Sequence, residues 1–127
     1  MKAIILAAGR GSRLGKITDF KPKCMTEVAG IALLEWQHSA LKSAGIKDIY
    51  VVTGYLSQVI SRKGYSTLYN PKWAESNMVL SLMLALENFN PPFIISYSDI
   101  IYSPRIIKDL IKSEKNLSVA YDKNWLK

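Results

Sequence analysis

The 127-residue chain is expected to fold as a three-layer α/β/α sandwich around a mainly parallel sheet. Three observations lead there. Short apolar, β-branched runs alternate with segments of helical periodicity, the pattern of parallel strands joined by helical crossovers. The first run, AIILA, is continuously apolar rather than alternating, as a strand covered on both faces should be. No internal repeat, low-complexity tract or linker interrupts the alternation, so one domain over residues 1–127 is expected.

Each element has its own reason. Ala3 to Ala7 is the first strand. Residues 8–30 read as a loop, broken by Pro22 and several glycines. From Ile31 to Ala44 the spacing is helical: Leu34, His38 and Leu41 share a face, with Leu33, Trp36, Gln37 and Ala40 beside it, and Gly45 is a natural stop. Asp48 to Thr53 (DIYVVT) is rich in β-branched and aromatic residues and is the second strand. Leu56 to Arg62 suggests a short helix, and Ser66 to Tyr69 a third strand. Asn77 opens NMVLSLMLALEN, a helix with Ser76 or Asn77 as its cap. Pro91 and Pro92 break the chain before FIISYSD, the fourth strand. Pro104 suits the first turn of a helix whose apolar face is Ile106, Ile107, Leu110 and Ile111. Leu117 to Tyr121 is expected to be a fifth strand.

Composition narrows the partners. Hydrophobic residues make up 49% and charged residues 21%, which argues for a folded core. A single cysteine, Cys24, and a single histidine, His38, exclude an internal disulfide and a Cys/His zinc site. No apolar stretch approaches the ~20 residues that span a bilayer. MKAIILAAG is a short run followed at once by Arg10 and Arg13, so it reads as a buried strand rather than a secretory signal. A cytoplasmic location is the expectation. The net charge of +7 favours an anionic partner. Nucleic acid and membrane are not expected. The basic residues are scattered, and Tyr50, Tyr55, Tyr65, Tyr69 and Trp73 fall mostly in or beside strands, with Trp73 expected to be the most exposed.

The loop after the first strand, LAAGRGSRLG, lies where ligands of parallel sheets bind, beyond the strand carboxyl ends. It matches neither common phosphate cradle. A dinucleotide fingerprint needs glycine where Leu14 stands. A P-loop needs Ser or Thr where Ile17 follows Gly15-Lys16, and glycine where Arg10 stands. Its physics still suits a polyphosphate. Small residues let backbone N–H groups approach phosphate oxygens closely. Arg13 can clamp an anion in bidentate fashion, and Lys23 can bring a compact charge to a second oxygen. Arg10 is equally well read as an incidental surface arginine.

Gly9-Arg10-Gly11-Ser12-Arg13-Leu14, followed by Pro22-Lys23-Cys24-Met25, resembles the first motif of the nucleotidyltransferases that make nucleotide-activated sugars and alcohols. VAGIALLEWQHSALKSAGIKDIYVVTGY is similar to the segment that follows it in that family. YNPKWAESNMVLSLMLALE resembles the stretch after the third strand in bacterial phosphocholine and aminophosphonate cytidylyltransferases.

The resemblance implies a Rossmann-like sheet of the nucleotide-diphospho-sugar transferase type. It implies transfer of a nucleoside monophosphate, CMP from CTP, to a phosphorylated acceptor such as phosphocholine or an aminophosphonate, with release of pyrophosphate. A sugar 1-phosphate acceptor is the alternative. It also implies that Leu6, Ala7, Ala8, Gly9, Gly11, Ser12, Ser76 and Asn77 hold the nucleotide and that Arg13 and Lys23 are catalytic. Asp99, in SYSDI, would bind Mg2+, although Ser98 stands where many members have glycine. On the residues alone, Ser76 and Asn77 also serve as helix caps, and Asp99 as a turn residue. Trp73, Glu75 and Trp125 are candidates for holding a quaternary ammonium group. The family's catalytic domain is longer, so the chain corresponds to its nucleotide-binding part, without the acceptor portion and its second metal-binding aspartate. Asp122 lies in the right region but does not match that aspartate. A catalytically inactive nucleotide-binding domain or fragment is therefore the other reading.

Overall fold

A computed structural model of the chain describes residues 1–126. In chain order the elements are β1 (Lys2–Ala7), β2 (Glu27–Val28), β3 (Ile31–Ala32), α1 (Leu33–Ser43), β4 (Asp48–Thr53), α2 (Ser57–Ser61), β5 (Ser66–Tyr69), α3 (Met78–Asn88), β6 (Phe93–Tyr97) and α4 (Pro104–Lys112). Four strands form one parallel sheet in the order β5-β4-β1-β6. β1 is central, pairing Ala3 with Ile49 on one side and Ile94 on the other. The chain builds β4 and β5 to one side of β1 and then crosses to place β6 on the other. That reversal opens a crevice at the carboxyl ends of β1 and β6.

The alternation of side chains along β1 makes the three layers. Ala3, Ile5 and Ala7 face a core completed by Leu34 and Leu41 of α1, Ile60 of α2 and Ile107 of α4. Ile4, Leu6 and the following Ala8 face the other way, against Ala85, Leu82 and Phe89 around α3. Ile4 and Ile5 are both fully buried, each contributing roughly 1.5–3 kcal/mol of transfer free energy. A continuous apolar run is the sequence consequence of being covered from both sides.

Four details differ from the sequence expectations. The first helix begins at Leu33, because Ile31–Ala32 pairs antiparallel with Glu27–Val28 in a small hairpin. The stretch expected to be loop also holds two 3-10 turns, Ser12–Thr18 and Lys23–Met25. Trp73 is only part-exposed and packs against the α3 core, whereas Tyr69 is the more open ring. Finally, Leu117 to Tyr121 is not a strand. Among the described residues no strand pairs with it, and Leu117, Val119 and Tyr121 stand 82%, 75% and 76% exposed. β-branched composition expresses a strand only where a neighbour supplies the ladder and one face is covered. Among the described residues no helix is long and apolar enough to cross a membrane.

Candidate active site

The turn leaving β1 is shaped by Gly11. Its φ is +68°, a conformation costly to any residue with a Cβ. A methyl there would also fall 2.9 Å from the Cβ of Lys23. Gly11 thus lets the turn and Lys23 lie side by side. Thr18, fully buried, closes the following turn by donating from Oγ1 to the Gly15 carbonyl at 3.2 Å, and the Tyr55 hydroxyl donates to the Thr18 carbonyl at 2.6 Å.

Lys23 is aimed by its neighbours. Pro22 and Cys24 are both fully buried, and between them Lys23 projects outward. Burial pushes the Cys24 thiol up to about 12, so it stays protonated and chemically silent near neutral pH. The Lys23 ammonium meets the Asp99 carboxylate at 2.6 Å, with both side chains still more than a third exposed. The backbone carrying Asp99 is held from behind. Gln37 of α1, fully buried, donates from Nε2 to the carbonyls of Tyr97 at 2.8 Å and Ile100 at 2.5 Å.

A third wall comes from the start of α3. Asn77 is its cap, with Oδ1 accepting from the N–H groups of Val79 and Leu80. Asn77 therefore does the capping work expected of it, with its Nδ2 group uncommitted to the cap.

These walls enclose a cavity of about 560 Å3. Leu6, Ala8, Gly9, Gly11, Ser12, Arg13, Lys23, Ser76, Asn77 and Asp99 all line it. Ala7 does not, because strand alternation turns its methyl into the core on the α1 side. Arg10 also lies elsewhere: it pairs with Asp19 at 3.3 Å and sits over the Tyr55 ring. Trp73 lines the cavity, while Glu75, Trp125 and Asp122 do not. Ser81 and Tyr97 line it as well and were not singled out from the sequence; Ser98, noted there only as a departure from the family pattern, lines it too. Ser81 had left a signal, a polar residue four positions after Asn77 in an otherwise apolar helix.

The chain matches the MobA-like NTP transferase domain over residues 3–124. It belongs to that nucleotidyltransferase family. It is similar to the CTP:phosphoglutamine cytidylyltransferase of Campylobacter jejuni at 40% identity, covering all of this chain and 54% of that protein. It is 35% identical to the choline-phosphate cytidylyltransferase of Streptococcus pneumoniae, over 89% of this chain and 51% of that one. The solved CTP:phosphocholine cytidylyltransferase of S. pneumoniae superposes with a TM-score of 0.70 at 36% identity, covering 77% of this chain and 44% of that one. The inositol-1-phosphate CTP transferase of T. maritima gives 0.74 at 25% identity, over 91% and 49%. The chain spans about half the length of the curated relatives it matches.

Within this nucleotidyltransferase domain the charges divide cleanly. Among the described residues, Arg13 and Lys23 are the cationic side chains lining the cavity, and Asp99 is the one carboxylate. Among the described residues no cluster of three acidic, histidine or cysteine side chains forms a ready-made metal cage. A single carboxylate suits the way Mg2+ binds nucleotides, through one or two protein oxygens plus substrate phosphates. The donor set of the cavity therefore fits that ion better than zinc or a softer metal.

Proposed function

We propose that this domain holds a nucleoside triphosphate, CTP, and transfers its CMP unit to a phosphorylated acceptor such as phosphocholine or an aminophosphonate. The observation that carries the reading is the shared cavity of the Gly9–Leu14 turn, Lys23 and Asp99. The cytidylyltransferase relatives support cytosine as the base.

In the reaction, an oxygen of the acceptor phosphate attacks the α-phosphorus. A new P–O bond forms there as the bond to the α,β-bridging oxygen breaks, and pyrophosphate leaves with that electron pair. Such a transfer depends on alignment and charge neutralisation, with no covalent nucleophile required. The backbone N–H groups of the glycine-rich turn and the Arg13 guanidinium hold the β- and γ-phosphates. Lys23 exchanges its carboxylate partner for the α-phosphate and acceptor oxygens, where negative charge concentrates. Asp99, released from Lys23, would hold Mg2+, an ion that would supply neutralisation of phosphate charge there.

The test is pyrophosphate release with CTP, UTP, ATP and GTP against phosphocholine, an aminophosphonate and sugar 1-phosphates. Lys23→Ala is expected to lower kcat by about 10²–10³, the scale of losing one preorganised donor. Turnover of sugar 1-phosphates alone replaces the acceptor class. Triphosphate binding without turnover of any acceptor favours the second reading, a nucleotide-binding domain without activity. The single carboxylate lining the cavity among the described residues gives that reading its support.

A further inference from the structure

Asn70 lies just behind the cavity wall and is 5% exposed. Its amide can adopt only one orientation. Oδ1 accepts the Lys72 backbone N–H at 3.0 Å, so the flipped amide would set donor against donor. Nδ2 is then committed to two hydroxyl oxygens, Ser76 Oγ at 3.1 Å and Ser81 Oγ at 3.0 Å. A serine hydroxyl has one proton to give and two lone pairs to receive. Asn70 fills one lone pair on each, so each hydroxyl is left with its proton to donate. Both serines line the cavity. Among the described residues neither hydroxyl donates to another protein group, and Ser81 is itself only 3% exposed.

We infer that Asn70 polarises Ser76 and Ser81 into a pair of hydrogen-bond donors facing the cavity, and that this pair selects cytosine over uracil. The inference rests on the nucleotide reading above and adds the residues that choose the base. Cytosine presents O2 and N3 side by side, and both accept. Uracil carries a proton on N3. To accept that proton, one hydroxyl must turn its own O–H away from the base, and at Ser81, 3% exposed, that takes a buried donor off its ligand partner. Sites built around a specific hydrogen bond discriminate strongly against partners that cannot make it.

The experiment is calorimetric titration of the full chain with CTP and with UTP, each with Mg2+, for the wild type and two variants. The wild type is expected to bind CTP about tenfold or more tighter than UTP. Asn70→Asp keeps the shape but removes both N–H groups. Its carboxylate accepts from the two hydroxyls and turns their lone pairs toward the cavity, so the CTP:UTP ratio falls to about one or inverts. Ser81→Ala removes one donor without burying a charge, and it is expected to cut CTP affinity about tenfold while affecting UTP less. Circular dichroism establishes that each variant is folded, and Ser81→Ala decides the matter if Asn70→Asp does not fold. Equal affinity of the wild type for CTP and UTP overturns the inference and leaves the nucleotide reading standing. So does an unchanged CTP:UTP ratio in the folded variants. Failure of the wild type to bind any triphosphate removes the nucleotide reading and this inference with it.

Discussion

A methyl group at Gly54 would fall 2.3 Å from Trp73 Cβ and 2.6 Å from the Ala8 carbonyl oxygen. The bare glycine lets the next residue, Tyr55, donate its backbone N–H to that carbonyl at 2.9 Å, tying the end of β1 to the segment after β4 beside the cavity. Gly54→Ala is expected to cost about 1–3 kcal/mol by overpacking. A denaturant titration with a lower midpoint and unchanged slope would show it. Cys24 supports a second test. Burial holds its thiol at about 12, so at pH 8 the native protein should resist iodoacetamide, whereas the urea-unfolded chain should react within minutes. Rapid labelling of the folded protein would place Cys24 outside the core. Arg13, Lys23 and Asp99 were legible as candidates because their chemistry is visible in the side chain and its local motif. Gly54, Asn70 and Gln37 were not, because what they do depends on partners the chain brings from elsewhere. Gln37 is 60 and 63 positions from the two carbonyls it serves.

The helices and strands carry the next set of consequences. α1 presents Gln37 to the backbone on either side of Asp99. Gln37→Leu takes its donor from the Ile100 carbonyl and one of two donors from the Tyr97 carbonyl, which keeps the Ser96 hydroxyl, and should destabilise the fold by about 2 kcal/mol. It should also lower pyrophosphate release by about tenfold through misplacement of Asp99, with the KM for CTP little changed. A loss of stability with full activity would mean that Asp99 holds its place unaided. At the next position of the same helix, burial, with Lys42 adding to it, lowers the pKa of His38 below its usual 6.5. The unfolded chain therefore binds this proton more readily than the folded one. Stability from this group is fully present above pH 6.5 and is lost as pH falls through that value toward the folded-state pKa. Thermal melts between pH 7.5 and pH 5 should show that decline, and His38→Gln should flatten it. The β2–β3 hairpin turns through Ala29 and Gly30 with φ of +53° and +77°, the primed-turn geometry that favours Asn-Gly. Ala29→Asn is expected to raise stability by about 0.5–1 kcal/mol by relieving a left-handed alanine. This hairpin was missed because its pairs, Glu27 with Ala32 and Val28 with Ile31, are too few to leave a periodic signal.

In the whole molecule basic residues outnumber acidic ones by seven, and the cavity itself holds Arg13 and Lys23. Raising salt from about 0.1 M to about 1 M shortens the screening length from about 10 Å to about 3 Å. Triphosphate affinity should therefore weaken several-fold over that range, and a flat response would mean that local hydrogen bonds alone hold the ligand. The amino-acid order settled the kinds and succession of β1, α1, β4, α2, β5, α3, β6 and α4, and the cationic glycine-rich turn. Each of these is encoded by neighbours: periodicity, β-branching, and the conformational freedom of Gly11. Tertiary structure alone decided which of them meet. Lys23 pairs with Asp99 across 76 positions, Ala7 turns away from the cavity while Ala8 faces it, and Asn70 reaches two serines on its far side. It also decided that Leu117 to Tyr121, strand-like in composition, forms no strand. Ladder hydrogen bonds and a covered face come from a partner in space, and no local run of residues can supply them.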